Sequence, residues 1–349
     1  IVHDRLKRGE YMGVEKQGHV VCVGQALVDC ITRGMEEKPY KKNVYRAESI
    51  TLNTGGDALN ESIVLSHLGH RVSLMCGLGK DIPGQMILHT AKENGVDVSC
   101  TTVSEELSTP IANLMVQKDG NRQSVNSLAA MATGYVPEER AFGGAKVVSF
   151  ASLFRAPLDR KENVLRLMKA AKKEGAIVCA DTKMPIYRNI SGEDIREILP
   201  YIDYMFPNEN EAYYYSHILT EEASGASVLG KNEFVRKADI SREGQEQEEQ
   251  TLFLEMGKKF CQHGVQNVII KTGEKGCIAV NESEIFHVPA RKVKAVDSTG
   301  AGDNFVAGFI HGILNDWDLT QCCDYGTQCA ALSVQYVGAV TGISRHGIT

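Results

Sequence analysis

A chain of 349 residues with 43% hydrophobic residues can bury a large core, as two domains or as one large α/β domain. Its formal net charge of -6 implies no basic face, which argues against nucleic acid and anionic membranes as partners. Ten cysteines lie scattered without zinc-type pairs, residues 1–18 lack an apolar signal region, and no run approaches the roughly 20 apolar residues of a membrane span; together these predict a cytoplasmic protein with reduced thiols.

In chain order, Val20 to Val23 reads as the first buried strand, and Asp29 follows it beyond a turn at Gly24, where a carboxylate would project from the carboxyl edge of a parallel sheet. Val44 to Leu52 reads as an antiparallel strand. Gly55 and Gly56 then precede a helix with apolar positions Ala58, Ile63, Val64 and Leu68, which puts Asp57 and Asn60 on its first turn. Val72 to Cys76 is a strand, Gly77, Gly79 and Gly84 form a glycine-rich turn, and Gln85 to Glu93 is helical. Ile111 to Asn126 reads as a pair of strands bending at Asp119-Gly120. Val147 to Phe150, Ile177 to Ala180, Tyr204 to Phe206 and Val268 to Lys271 are further buried strands, and Glu162 to Lys173 is a helix. Arg155 and Lys183 each follow one of these strands. Residues 221–250, rich in Glu, Gln, Ser, Gly and Lys, read as an exposed insertion.

This alternation predicts a largely parallel sheet wrapped by helices. The most informative stretch follows the strand-like Lys292 to Val296: Asp297, Ser298, Thr299, Gly300, Ala301, Gly302, Asp303, Asn304, Phe305. Apolar residues then recur at Val306, Phe309, Ile310 and Ile313, so a helix begins at the glycines. Its first amides have no intrahelical partner and its dipole is positive there, so Gly300, Ala301 and Gly302 can cradle a phosphate. Asp303 beside that cradle can accept the proton of an attacking hydroxyl. A plain tight turn with Asp303 as cap is the alternative for the short Gly-Ala-Gly-Asp alone. No GxxxxGK[ST] occurs, since Gly79-Lys80 is followed by Asp81, and the Gly77 to Gly84 spacing misses GxGxxG.

The nine-residue string resembles the signature of the ribokinase-like (PfkB-type) carbohydrate kinases. The resemblance runs from about Val20 to Ile343 and implies a three-layer α/β/α domain over 19–343, with a mostly parallel central sheet and a small β lid from about 38–53 and 110–127, often used for dimerisation. Residues 1–18 would be an N-terminal extension. In that family the final Asp is the catalytic base, here Asp303, and the preceding amides form the anion hole. Asp29, Gly55, Gly56, Asp57 and Asn60 resemble the sugar signature, with Asp57 standing where ribokinase carries Lys. Asn208 and Glu211 match an N-x-x-E motif near Mg²⁺ and the transferred phosphate. Lys271, Gly273 and Gly276 resemble the nucleotide-binding turn, and Thr327 lies on the helix that walls the adenine. Asp297 and Thr299 match positions near a monovalent cation, so K⁺ enters as an expected cofactor beside ATP and Mg²⁺, although Gly342 lies where ribokinase supplies a hydroxyl.

The resemblance thus implies in-line transfer of the γ-phosphoryl group of ATP to a sugar hydroxyl. Asp29 and Asp57 in one pocket favour a neutral acceptor over a sugar acid or sugar phosphate, unless Arg155 or Lys183 points inward. A nucleoside kinase of the same superfamily is the near alternative and would need aromatic walls, for which the lid offers mainly Tyr40 and Tyr45. A non-catalytic sugar or nucleotide sensor is the other, and it would be expected to have lost Asp303 or its glycine turn.

Overall fold

The computed structural model describes residues 18–35, 43–118, 122–127, 135, 137–138, 142–185, 188–219 and 245–346. In chain order the strands and helices are β1 (His19–Val23), β2 (Leu27–Met35), β3 (Ser49–Gly55), α1 (Asp57–His67), β4 (Arg71–Met75), β5 (Gly77–Gly79), α2 (Ile82–Glu93), β6 (Thr102–Ser104), β7 (Ile111–Gln117) and β8 (Arg122–Asn126). They continue as β9 (Val147–Leu153), α3 (Lys161–Lys173), β10 (Ile177–Thr182), α4 (Gly192–Ile198), β11 (Tyr204–Met205), α5 (Glu209–Ile218), α6 (Gln245–Gln262), β12 (Asn267–Lys271), β13 (Cys277–Val280), β14 (Ile285–Val288), α7 (Ala301–Leu314), α8 (Leu319–Ser333) and α9 (Thr341–His346).

Eight strands form one sheet in the order β14-β13-β12-β11-β10-β9-β1-β4. From β12 to β4 every neighbouring pair is parallel, and β13 and β14 add an antiparallel edge that periodicity did not reveal. All seven residues of β9 are buried, as a parallel strand covered on both faces requires. Two separate apolar clusters fill those faces, one under α3 and α6 and one under α1, α7 and α8. On α3 the buried residues Val164, Leu167, Met168 and Ala171 recur at helical spacing, which turns that stripe onto the sheet. Phe309 seats α7: its ring meets Phe206 edge-on at 4.9 Å and lies 5.3 Å from Tyr204.

A second sheet, ordered β3-β2-β7-β8, is the lid. It extends beyond the expected lid segments: Leu27–Met35 is a nine-residue strand, antiparallel to β3 and parallel to β7. Asp29 therefore projects from a lid strand. The backbone of residues 27–35 finds ladder partners on both sides. The Asp119-Gly120 bend and Tyr40 lie outside the described residues, as do 1–17 and 220–244 of the two flanking segments. From Gln245 the expected insertion is helix, not loop. Gly77–Gly79, expected as a turn, is a short strand paired with Thr102–Ser104. Lys292 to Val296 is irregular instead of a strand; Val293 and Val296 are exposed, and Val296 N bonds to Val334 O at 2.7 Å. All ten cysteines are free thiols. Among the described residues no helix is long and apolar enough to cross a membrane.

Candidate active site

The sheet reverses its winding between β1 and β9, and at such a switch point the carboxyl ends of the strands leave a crevice. Each strand from β9 to β12 delivers a polar group there: Ser152 near the end of β9 and Arg155 after it, Asp181 and Lys183 at the end of β10, Asn208 after β11 and Lys271 at β12. From the other side come Asp57 and Asn60 on the first turn of α1 and Asp303 on the first turn of α7.

These groups interlock. Asn60 Nδ2 donates to Asp303 Oδ2 at 2.7 Å. Lys183 Nζ lies 3.2 Å from Asp181 Oδ2, 3.4 Å from Asp57 Oδ1 and 3.8 Å from Asp303 Oδ1. Ser152 Oγ donates to Asp57 Oδ2 at 2.8 Å, and Ser149 Oγ donates to Glu61 Oε2 at 2.6 Å. Lys271 ion-pairs with Asp181 from the opposite side.

Titration follows from this arrangement. Burial, then the charge of Asp57, pushes the Asp303 carboxyl up to about 7, against Lys183 and the Asn60 amide. That is the poise a general base needs near neutrality. Burial and Asp57 raise Asp29 to about 6. Asp57 itself is held below the usual carboxylate range: burial opposes its charge, but Lys183 and the Ser152 hydroxyl outweigh it. Burial would lower Lys183, yet Asp181, Asp57 and Asp303 lift it well above the ordinary lysine value. Burial and the charge of Asp181 drive the Glu61 carboxyl well above the usual range.

The glycine turn has the expected shape. Gly300 caps α7 with a left-handed φ of 75°, and a Cβ there would meet Ala339 Cα at 2.8 Å, so both conformation and space require glycine. Asn304 Nδ2 ties the turn down by donating to Gly300 O and Ala339 O, each at 2.7 Å. Of the three cradle amides, that of Ala301 already donates weakly to Ser298 O at 3.3 Å, so an entering anion would compete with that carbonyl. Asp29 reaches back to the start of α1, where a Cβ on Gly55 would sit 2.6 Å from Asp29 Oδ2. Gly56, with φ 97°, lets the chain pass Gln25 O.

Other residues occupy places the sequence does not disclose. The backbone of Phe154 takes φ 74°, a conformation unusual for a large side chain, and turns Arg155 so that its Nε donates to Met184 O at 2.7 Å. Lys271, at the start of the expected nucleotide turn, places its ammonium 3.3 Å from where a Cβ on Gly302 would be. Gly276 is required by crowding, since at φ 106° its Cβ would strike Val288 O, whereas Gly273 faces open space. Thr327 is buried on α8 with its hydroxyl bonded to Asp324 O. Asp181, Glu61, Ser149 and Ser152 carry no motif of their own. Asp181 had one signal, its place two residues before Lys183 at the end of a buried strand.

The fit of the expected metals can be tested on the donors. Asn208 and Glu211 form a reciprocal capping box: Asn208 Oδ1 accepts from Glu211 N, and Glu211 Oε2 accepts from Asn208 N at 2.9 Å and from Thr182 Oγ1 at 3.1 Å. Burial raises the Glu211 carboxyl above its ordinary value, and Lys271 opposes only part of that rise. Asn208 Oδ1 and Glu211 Oε2 are thus already engaged within the protein, which fits a Mg²⁺ ion reached through its waters. Among the described residues no cluster of three or more His, Cys, Asp or Glu side chains could hold a metal by itself. Asp297 Oδ1 accepts from Thr299 N and Oγ1, and Oδ2 accepts from Gly338 N. Burial would raise this carboxyl, but those bonds hold it below the usual range, so it presents a negative charge to the loop.

Comparison with known proteins identifies the family and the fold. The model of the family described as pfkB family carbohydrate kinase matches residues 17–345. The 5-dehydro-2-deoxygluconokinase of Clostridium perfringens is 23% identical over 329 residues, covering 90% of this chain and 86% of that protein. The ribokinase of Haemophilus influenzae is 26% identical over 291 residues, covering 83% of each. Among solved structures, Arabidopsis thaliana ribokinase complexed with ribose and ATP superposes with a TM-score of 0.74 at 22% identity, covering 93% of this chain and 95% of that one.

Proposed function

The chain belongs to the pfkB family of carbohydrate kinases and is an ATP-dependent sugar kinase; from that premise we propose that Asp303 is its general base and that its acceptor is a neutral sugar or polyol. The observation that carries the reading is the Asp303 carboxylate, poised near neutrality at the first turn of α7 and held by Asn60 and Lys183. Asp303 takes the acceptor's proton, and the amides at the start of α7 receive the charge of the transferred phosphoryl group. Asp29 orients acceptor hydroxyls from the lid, assisted by the open backbone at Gly55. Mg²⁺ would offset the polyphosphate charge, with Glu211 and Asn208 holding its water shell. A K⁺ ion would act on the loop through Asp297 and Thr299. Gly273 gives the nucleotide room to lie against the turn after β12.

The neutral acceptor follows from charge. Lys183 does enter the pocket, which on its own would invite an anion. It is surrounded by Asp57, Asp181 and Asp303, however, so its charge is already matched. A sugar acid is the second reading, favoured by the relatives named 5-dehydro-2-deoxygluconokinase and by Arg155, whose charge reaches Asp57. The lid also exposes Ile50, Leu52 and Val125, which supports a homodimer formed through it; sedimentation of the purified chain would test that. For the activity, ADP release is measured from ATP with neutral sugars, polyols, sugar acids, sugar phosphates and nucleosides. A nucleoside winning that comparison, or no acceptor at all, would sink the proposal.

A further inference from the structure

Lys271 closes β12. Its amide donates to Pro207 O at 2.8 Å, so the backbone from which the side chain leaves is anchored to the neighbouring strand end. The ammonium pairs with Asp181, whose side chain is 0% exposed while that of Lys271 is 13% exposed. Asp181 also holds Lys183, and Lys183 in turn reaches Asp303. One buried carboxylate thus carries two ammonium groups, one directed at the base and one directed elsewhere.

The second direction is the phosphate cradle. The Lys271 ammonium lies 3.3 Å from the Cβ position of Gly302, against the first turn of α7. A helix N-terminus is itself a positive pole, and a cation set against it is unfavourable unless an anion comes between them. Asp181 and, at longer range, Glu211 hold the ammonium in place, while the amides at the helix start add positive potential that favours further negative charge. A transferred phosphoryl group supplies that charge.

We propose that Lys271 is a catalytic residue, its ammonium standing with the Gly302 amide on the equatorial oxygens of the transferred phosphoryl group, and that Asp181 is the positioning residue for Lys271 and Lys183 alike. The proposal rests on the kinase reading above. In the transfer, the acceptor hydroxyl yields its proton to Asp303 as its oxygen bonds to the γ-phosphorus. The bond from that phosphorus to the bridging oxygen breaks, and its electron pair leaves with ADP. Both lysines keep their protons throughout. An ammonium fixed in place before the reaction stabilises the phosphoryl charge without reorganising during it. Its loss therefore lowers turnover more than nucleotide binding.

The test compares wild type with Lys271→Met, Lys271→Arg and Asp181→Asn, using the best acceptor from the panel and checking folding by thermal melting. Lys271→Met should lose roughly 10²- to 10³-fold in kcat, with the KM for ATP moving less than about threefold. Lys271→Arg should recover part of the loss, since it keeps the charge with a different shape. Calorimetry with Mg·ADP, fluoroaluminate and acceptor, a mimic of the planar phosphoryl group, should show a loss in Lys271→Met that matches kcat, while ADP alone binds as before. Asp181→Asn should lower kcat with the same split. If Lys271→Met does not fold, Lys271→Gln carries the test. Near-native kcat in the Lys271 variants, or a loss confined to the KM for ATP, overturns the catalytic role, and unchanged kcat in Asp181→Asn overturns the positioning role. A wild-type chain that phosphorylates no acceptor overturns the kinase reading together with this proposal, whereas an active wild type with unaffected variants overturns the proposal alone.

Discussion

Asn60 donates its side-chain amide to Asp303 Oδ2 at 2.7 Å, joining the first turns of α1 and α7 across 243 residues of sequence. The bond favours the charged form of the base and works against the burial that raises it. Asn60→Ala should therefore move the midpoint of the pH profile of kcat/KM upward by about one unit, since a hydrogen bond to a charged group contributes about 1.5–3 kcal/mol and one unit is about 1.4 kcal/mol. An unmoved midpoint would show that Asn60 does not tune the base.

Asp303→Asn should lower kcat by about 10²- to 10⁴-fold with ATP binding retained. In the wild type, kcat/KM should rise about tenfold per pH unit below about 7 and level off above it. Stability runs the other way. The folded state raises Asp303 from 3.8 to about 7, so the stabilisation tied to the protonated carboxyl is complete below 3.8 and lost as pH rises through 7. Asp303→Asn should thus melt higher than wild type at pH 8 and about equal to it at pH 4. Equal melting at both pH values would contradict the raised carboxyl.

The cradle was legible because it is local: nine consecutive residues place turn, amides and base on one helix start, and the pattern resembles a known family. The contacts that tune the base were not, because they join distant residues. Asp181 and Lys271 are 90 positions apart, and only the parallel alignment of β10 and β12 across β11 sets their side chains facing each other. The strand Leu27–Met35 was not legible for a related reason. Its apolar residues do not alternate cleanly, and strand formation there depends on β3 and β7, which lie far along the chain.

Glu61 separates packing from charge. It is fully buried, its carboxyl is pushed well above the usual range by burial, and it accepts from Ser149. Glu61→Gln keeps shape and acceptor, so it should leave stability almost unchanged. Glu61→Ala leaves the Ser149 hydroxyl unpartnered in a cavity and should cost about 1–3 kcal/mol in denaturant unfolding. Equal losses in the two variants would mean that the carboxyl is charged in the folded protein.

Asp29→Ala removes the lid's charged acceptor for sugar hydroxyls. Losing such a bond costs about 1.5–3 kcal/mol, so acceptor affinity should weaken roughly 10- to 150-fold while ATP binding holds. Because Asp29 is raised to about 6, acceptor affinity in the wild type should also fall as pH drops through 6. Calorimetry that finds ATP weakened and acceptor unchanged would remove Asp29 from the acceptor pocket.

Under the neutral-acceptor proposal, Asp57 sets the charge the acceptor can carry. Its carboxylate faces Lys183 at 3.4 Å and accepts from Ser152, so Asp57→Asn keeps the shape while removing one of the three charges that match Lys183. At an effective dielectric near 20, two like charges about 6 Å apart repel by roughly 3 kcal/mol. An anionic acceptor would gain from losing that repulsion and a neutral one would not. The substitution also alters the field on Asp303, but the base serves every acceptor, so that effect cancels in a ratio. The kcat/KM of a sugar acid relative to a neutral sugar should therefore rise about tenfold or more in Asp57→Asn. An unchanged ratio would mean that the acceptor's charge never approaches Asp57. A wild-type preference for the sugar acid would instead overturn the neutral-acceptor proposal and make Lys183 and Arg155 the residues that hold the acceptor's carboxylate.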